Sequence, residues 1–335
     1  MSAFSAGARN YVRGSTIQQA LLSSLFFRRI SIPSEHGYRH QLRRTLILDT
    51  QKLDCVELEK LSEPNSGIVE VVLNRKEARN AISRDLLYGL RRVFDLVDND
   101  SSAKVVLLRS SLPNVFCAGA DLKERRQMSA SEVLAFVNSL RSTFSFIEAL
   151  SIPSIAVIEG AALGGGLEMA MSCDLRVCGE GAVLGLPETG LAIIPGYLTS
   201  QRSGLDHFYG NPLGHFRAGG TQRLPRLVGK AVAKELIYTG RRLTGEEAKS
   251  IGLVNYSVAA GEAHLMALEI GREIAAKGPI GIRMAKMAID EGMEKDMAGG
   301  LKVEEECYVN TLHTLDRLEG LAAFAEKRKP VYNGE

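Results

Sequence analysis

The chain has 335 residues, enough for one or two domains with a sizeable core. It is 45% hydrophobic with a formal net charge of +2. No apolar run reaches the length of a membrane helix, so a membrane span is not expected, and so small a charge gives no argument for nucleic acid.

Charge is spread unevenly. Residues 1–48 hold seven arginines, no lysine, seven serines and a single acid, Glu35, around an apolar stretch from Ala20 to Phe27. That composition reads as an organelle transit peptide, mitochondrial because arginine dominates. The C-terminus, Asn333-Gly334-Glu335, is not a peroxisomal tripeptide. The five cysteines (Cys55, Cys117, Cys173, Cys178, Cys307) form no CxxC pair and no zinc spacing. Cys173 and Cys178 read as small core residues in a reducing compartment.

After the leader, Gly67 to Leu73 reads as a strand, from its alternation and β-branched residues. A helix follows with Ser83 as N-cap, its face built from Leu86, Leu87, Leu90, Val93, Phe94 and Val97. Lys104 to Arg109 is a second strand, and Glu132 to Leu150 a second amphipathic helix. Ser154 to Ile158 is a third strand, followed by a glycine run and a short helix from Leu167. Leu175 to Cys178 is a fourth strand. From Lys230 the pattern is almost wholly helical: 231–239, 244–251, 263–277, 281–294, 298–312 and 316–329. Strands alternate with helices first and helices follow, which predicts an α/β fold with a helical C-terminal part. Residues 197–217 show neither period 2 nor period 3.6, and an unstructured loop of that length is uncommon inside a compact domain.

Three segments carry chemistry. Gly164-Gly165-Gly166 lies between a strand and a helix, where backbone can approach a ligand closely and the helix start offers free N–H groups. By itself it is as well explained by a tight turn. Neither the G-x-G-x-x-G pattern nor a Walker lysine is present. Glu168 follows in the first helical turn, and Glu188 follows Pro187; each alone is an ordinary acid. Cys117-Ala118-Gly119-Ala120-Asp121 reads as a turn with Asp121 capping the next helix. Asp174 reads as a structural turn residue and Glu159 as a strand-end acid. His207 and His215 lack a third ligand and do not argue for a metal.

Order and combination change this reading. Phe116 to Glu124, Gly160 to Glu168, Pro187 to Gly196 and Gly219 to Arg226 resemble, in that order, the signature segments of the crotonase (enoyl-CoA hydratase/isomerase) superfamily. The resemblance runs from about Ile68 to the end of the chain, through the closing Arg317-Leu318-Glu319-Gly320 and Lys327-Arg328-Lys329-Pro330. It is closest to the mitochondrial hydratase branch. It implies a crotonase-like spiral of ββα units with a helical C-terminal trimerisation region. The implied organisation is a leader at 1–48, a core at 65–260 and a helical region at 261–335.

The resemblance also implies roles. Ala120 and Gly165 would supply the two backbone N–H groups of an oxyanion hole. Ala120, Asp121, Leu122 and Lys123 would line the acyl-CoA segment. Glu168 and Glu188 would hold one water, oriented by the amide of Gly196. The implied reaction is hydration of a 2-trans-enoyl-CoA to a 3-hydroxyacyl-CoA, in fatty acid β-oxidation or branched-chain amino acid catabolism. Coenzyme A is then part of the substrate, and no metal or redox cofactor is expected. Both glutamates are kept, which favours hydratase over isomerase within the superfamily. The implied location is the mitochondrial matrix, and the implied assembly a homotrimer or hexamer.

Alternatives remain. A branched substrate such as 3-methylglutaconyl-CoA would need a basic partner for its distal carboxylate. RNA binding is a weaker reading. In an RNA-binding relative one helix carries lysines at three positions, which here are Arg84, Tyr88 and Arg92, with Asp85 and Asp95 close by. A catalytically silent member is a third possibility. It is suggested by a departure from the family pattern: deleting 197–217 restores an uninterrupted Ile-Pro-Gly…Gly-Gly-Thr-Gln-Arg-Leu. Those residues read as an insertion that leaves the fold intact and lowers activity by disturbing the site.

Overall fold

The computed structural model describes residues 47–53, 55–195 and 219–335. The leader (to residue 46), Gly196, the 197–217 stretch, His207 and His215 lie outside the described residues.

Two sheets make the core. The larger has seven strands: β1 (Ile47–Leu53), β2 (Val56–Leu61), β3 (Ile68–Leu73), β4 (Val105–Ser110), β6 (Ser154–Ile158), β8 (Leu175–Gly179) and β11 (Tyr256–Val258), adjacent in that order. The first three pair antiparallel; from β3 onward every pairing is parallel. The smaller sheet runs β10 (Leu243–Thr244), β9 (Val183–Gly185), β7 (Ala161–Leu163) and β5 (Val115–Cys117). Chain order alternates between the sheets, so each crossover winds the backbone into a spiral. This is the expected α/β class with a helical C-terminal region.

Strand residues divide by parity, as side chains on a pleated strand must. Val106, Leu108, Ala156 and Ile158 face one core, which also takes the apolar stripe of α1 (Arg84–Asp98) and residues of α3 (Ala130–Glu148). Val105, Leu107, Ile155 and Val157 face a second core, closed by Ala263, Ala267 and Leu268 of α8 (Ala263–Ala275). Both faces are covered, which explains why these strands are continuous apolar runs.

Capping fits the sequence. Ser83 Oγ accepts from Leu86 N at 3.2 Å to start α1. Ser129 and Glu132 form a capping box on α3, and Thr244 and Glu247 form another on α7 (Gly245–Ser250). Between these lie α2 (Leu122–Arg125), α4 (Gly165–Met171), α5 (Gly220–Val228) and α6 (Lys230–Thr239). After α8 come α9 (Pro279–Gly292), α10 (Met297–Thr311) and α11 (Leu315–Glu326).

The structure departs from the sequence reading in three places. The sheet begins before residue 65, because β1 and β2 form a hairpin on its edge. In β2 charged Glu57, Glu59 and Lys60 interrupt the apolar positions, which thins the strand signal. Two short strands, β10 and β11, interrupt the helical C-terminal part; each is held by a long-range partner rather than by its own pattern. The helix expected from Leu167 starts at Gly165, because glycine poverty in helices is only a weak prior and packing overrides it.

Candidate active site

Two amides come first. The chain after β5 turns through Gly119, whose φ is +92°. A Cβ there would meet Leu163 O at 2.7 Å, so only glycine fits. Next, Ala120 forms a parallel bridge with Ile82. Ile82 N donates to Gly119 O (2.7 Å) and Asp121 N to Ile82 O (3.0 Å), which leaves the Ala120 N–H directed away from that partner. Gly165 is the first residue of α4, where an N–H has no acceptor within the helix. A Cβ on Gly119 would lie 3.5 Å from Gly165 N, and one on Gly165 would lie 3.8 Å from Ala120 N. The two amides are therefore neighbours. Gly166 brings α4 hard onto β5: a Cβ there would sit 2.3 Å from Cys117 O.

The carboxylates come next. Glu168 lies in the first turn of α4, only 4% exposed, and its Oε1 accepts from Gly220 N at 2.7 Å. Burial, then the charge of Glu188, pushes its pKa up to about 8, against the opposing pull of the Gly220 N–H, Arg223 and Arg141. Glu188 sits at the start of a 3₁₀ turn, Pro187–Leu191, which Thr189 Oγ1 ties to Ile237 O at 2.8 Å. Burial raises its pKa too, and its buried Oε2 has no hydrogen-bond partner among the described atoms. Its Oε1 would lie 3.0 Å from a Cβ on Gly164, so this carboxylate covers the glycine turn.

A cavity of about 190 Å³ joins these parts. Ala120, Gly165, Glu168 and Glu188 all line it, with Leu122, Phe136, Val137, Leu140 and Ile194 as apolar wall and Arg125 as the cation. The structure thus brings together both glutamates, both expected N–H donors and Leu122. Asp121 and Lys123 are not among the lining residues. Asp121 instead caps α2 and pairs with Arg75 at 2.8 Å, the structural role its turn position also suggested. Gly196 lies outside the described residues.

Sequence reasoning missed what stands behind Glu168. Arg223, 5% exposed, donates from Nε and Nη2 to Glu148 at 3.2 and 2.6 Å. Arg141, on α3, has a buried Nε with no hydrogen-bond partner among the described residues. Both guanidinium charges reach Glu168. The Thr-Gln-Arg-Leu segment marked the neighbourhood of Arg223; nothing in the sequence marked Arg141. Two discounted acids are structural. Asp174 accepts from Ser154 N (2.8 Å) and pairs with Lys286. Glu159 accepts from Gly261, Ala263 and His264 amides at the start of α8. Among the described residues, no group of three His, Cys, Asp or Glu is placed to hold a metal, and no helix is long and apolar enough to cross a membrane.

Known proteins carry the same architecture. A crystal structure of an enoyl-CoA hydratase from Bacillus anthracis superposes with a TM-score of 0.75 at 42% identity, covering 84% of this chain and all of that one. In sequence, the chain is 59% identical over 298 residues to the probable enoyl-CoA hydratase 2, mitochondrial, of Arabidopsis thaliana, covering 89% of this chain and 92% of that protein. It is 44% identical over 297 residues to the mouse methylglutaconyl-CoA hydratase, mitochondrial, covering 88% of each. The enoyl-CoA hydratase/isomerase profile matches residues 63–204 and 210–335, with its break inside the 197–217 stretch. A glycine turn, a paired amide and two facing carboxylates in this chain order, on this fold, place the protein in the enoyl-CoA hydratase/isomerase family.

Proposed function

We propose that this enzyme adds water across the double bond of a 2-trans-enoyl-CoA to give the 3-hydroxyacyl-CoA. The observation that carries the reading is one cavity lined by two neighbouring amides and two carboxylates of raised pKa. The thioester oxygen accepts from Ala120 and Gly165 N–H, which drains charge from the acyl chain and makes Cβ electrophilic. A water between the glutamates loses a proton to a carboxylate as its oxygen attacks Cβ. A protonated carboxyl delivers a proton to Cα. The charge of Glu188 acts on Glu168, whose pKa is pushed up to about 8, so the pair holds a proton near neutral pH and offers one acid and one base. Each donor to the developing oxyanion is worth roughly 3–4 kcal/mol of barrier, and positioned acid–base groups about 10²–10⁴ in rate. The proposed chemistry uses no metal or redox cofactor.

The test is hydration kinetics on an acyl-chain series with the leader removed. Glu168→Gln and Glu188→Gln each lose nearly all turnover of crotonyl-CoA while still binding acyl-CoA; near-normal turnover in either variant overturns the assignment. A form lacking 197–217, assayed beside the full chain, tests the effect of that stretch; equal kcat/KM in the two forms rejects the proposal that it lowers activity.

A second reading concerns the acyl group. A substrate with a distal carboxylate needs a cation, and Arg125 lines the cavity with no acidic partner among the described residues. Nearby Glu124 and Glu132 are engaged by Arg84 instead. Comparing crotonyl-CoA with 3-methylglutaconyl-CoA decides between the two substrates.

Residues 1–48 and the mitochondrial names of the relatives support import into the mitochondrion, and we place the enzyme in the matrix. A reporter fused to 1–48 that stays outside mitochondria would reject this. A homotrimer or hexamer is supported by large apolar side chains left exposed on the C-terminal helices, Met293, Met297 and Phe324 among them. Light scattering that returns a monomer mass counts against it. RNA binding gains little support, since Arg84 is tied to two acids and Arg92 lies beside Tyr88.

A further inference from the structure

The first turn of α5 is placed by tertiary contacts. In sequence, residues 196–218 separate Pro195 from Gly219, yet a Cβ on Gly220 would lie 2.7 Å from Pro195 Cβ and 2.9 Å from Glu168 Oε1. Gly220 thus sits wedged between the proline and the carboxylate, and its N–H donates to Glu168 Oε1. In the same turn Arg223 reaches the other way, to α3, where both oxygens of Glu148 receive its fork. Glu148 is itself tied at its carbonyl, which accepts from Lys286 Nζ of α9 at 3.1 Å, and Lys286 also pairs with Asp174. Bidentate guanidinium–carboxylate pairs fix orientation as well as distance.

We propose that Arg223, gripped by Glu148, is a positioning residue for Glu168: the pair pins the first turn of α5 to α3, keeps the Gly220 N–H on Glu168 and sets a guanidinium behind that carboxylate. The inference rests on the hydratase reading of Glu168. The charged and titratable groups facing Glu168 are Glu188 from the 3₁₀ turn, Arg141 from α3 and Arg223 from α5; its own helix contributes none. Losing Arg223 frees the first turn of α5, which weakens the Gly220 N–H bond to Glu168, and removes a positive charge; both that bond and that charge favour the ionised form. The titration of the glutamate pair then moves to higher pH. Arg141 remains in place, so the shift is partial.

The experiment compares kcat and KM for crotonyl-CoA across pH in the full chain and in R223Q, R223K and E148Q, with thermal melts to confirm folding and E168Q as control. In R223Q the pH limb of kcat/KM moves up by about one unit. Its kcat falls about 10- to 100-fold, while KM changes by less than about threefold. R223K keeps the charge but not the fork, so kcat falls and the limb moves less. E148Q keeps the guanidinium charge but loses the grip, so kcat falls and the limb moves up less than in R223Q. An R223Q enzyme with an unchanged limb overturns the proposal, whether or not kcat falls, because a purely structural role would leave the limb in place. If R223Q does not fold, R223K and E148Q decide, and limbs unchanged from the parent in both overturn it. An active E168Q would instead refute the hydratase reading itself.

Discussion

Two buried glutamates on opposite sides of the sheets invite comparison. Glu70, on β3, is about as deeply buried as Glu168. Arg109 Nε lies 2.5 Å from its Oε2, and His264 Nε2 lies 2.5 Å from its Oε1. Arg109 also reaches Glu59 at 2.8 Å. Burial alone would raise the Glu70 pKa, but His264 and Arg109 together outweigh it and hold the carboxyl below its usual range. Glu168 has one backbone N–H and two more distant arginines, and its pKa rises to about 8. Equal burial therefore gives opposite shifts: Glu70 is hydrogen-bonded by His264 and Arg109, whereas Glu168 has the charge of Glu188 beside it. The compensated acid holds the fold together. The uncompensated one is available to move a proton, at a cost in stability.

Exchanging one acid at a time should separate these roles. Glu168→Gln should lower kcat by about 10²–10⁴ or more, with the fold retained, in a crotonyl-CoA assay. Glu70→Gln should do the reverse. Arg109 and His264 lose their carboxylate, and urea unfolding at neutral pH should show a loss of about 3–5 kcal/mol. Protein that stays folded should keep its kcat. If Glu70→Gln proves as stable as the parent, the comparison breaks.

The pH dependence sharpens it. The Glu168 carboxyl keeps its proton in the folded state from about 4.5 to about 8, whereas the unfolded chain releases it. Folding stability therefore falls as pH rises through that window, by on the order of a few kcal/mol. Denaturation of Glu168→Gln should show that slope removed, leaving the variant more stable than the parent at alkaline pH. Glu70 acts on the acid side, since its stabilisation is present at neutral pH and is lost as pH falls through its lowered titration. The smallest effect is expected far from both acids. Ser129→Ala removes one side of the α3 capping box and should cost about 1 kcal/mol in thermal or urea unfolding, with little change in kcat.

Much of the fold was legible because its signals are local. The stripe of α1, the apolar runs of β4 and β6, and the cap at Ser83 follow from neighbours within a few residues. The edge hairpin and the two-residue β10 were not legible, because their partners, rather than their patterns, define them. The same division runs through the site. Ala120, Gly165 and the two glutamates could be named from motif order. Asp121 and Lys123 were expected at the ligand, but the Arg75 ion pair holds Asp121 and the side chain of Lys123 does not border the cavity. Arg141 and Glu148 carried no motif.

By itself the sequence determined which groups were available: two carboxylates, glycines where a side chain would collide, and helices and strands in a fixed order. Those depend on short-range sterics and periodicity, which a linear chain records. Only the tertiary structure decided what the groups became. Glu168 meets Gly220 across 52 residues of chain, and Arg223 meets Glu148 across 75. Burial and charge at those distances set the proton affinity of Glu168, and no local pattern encodes them.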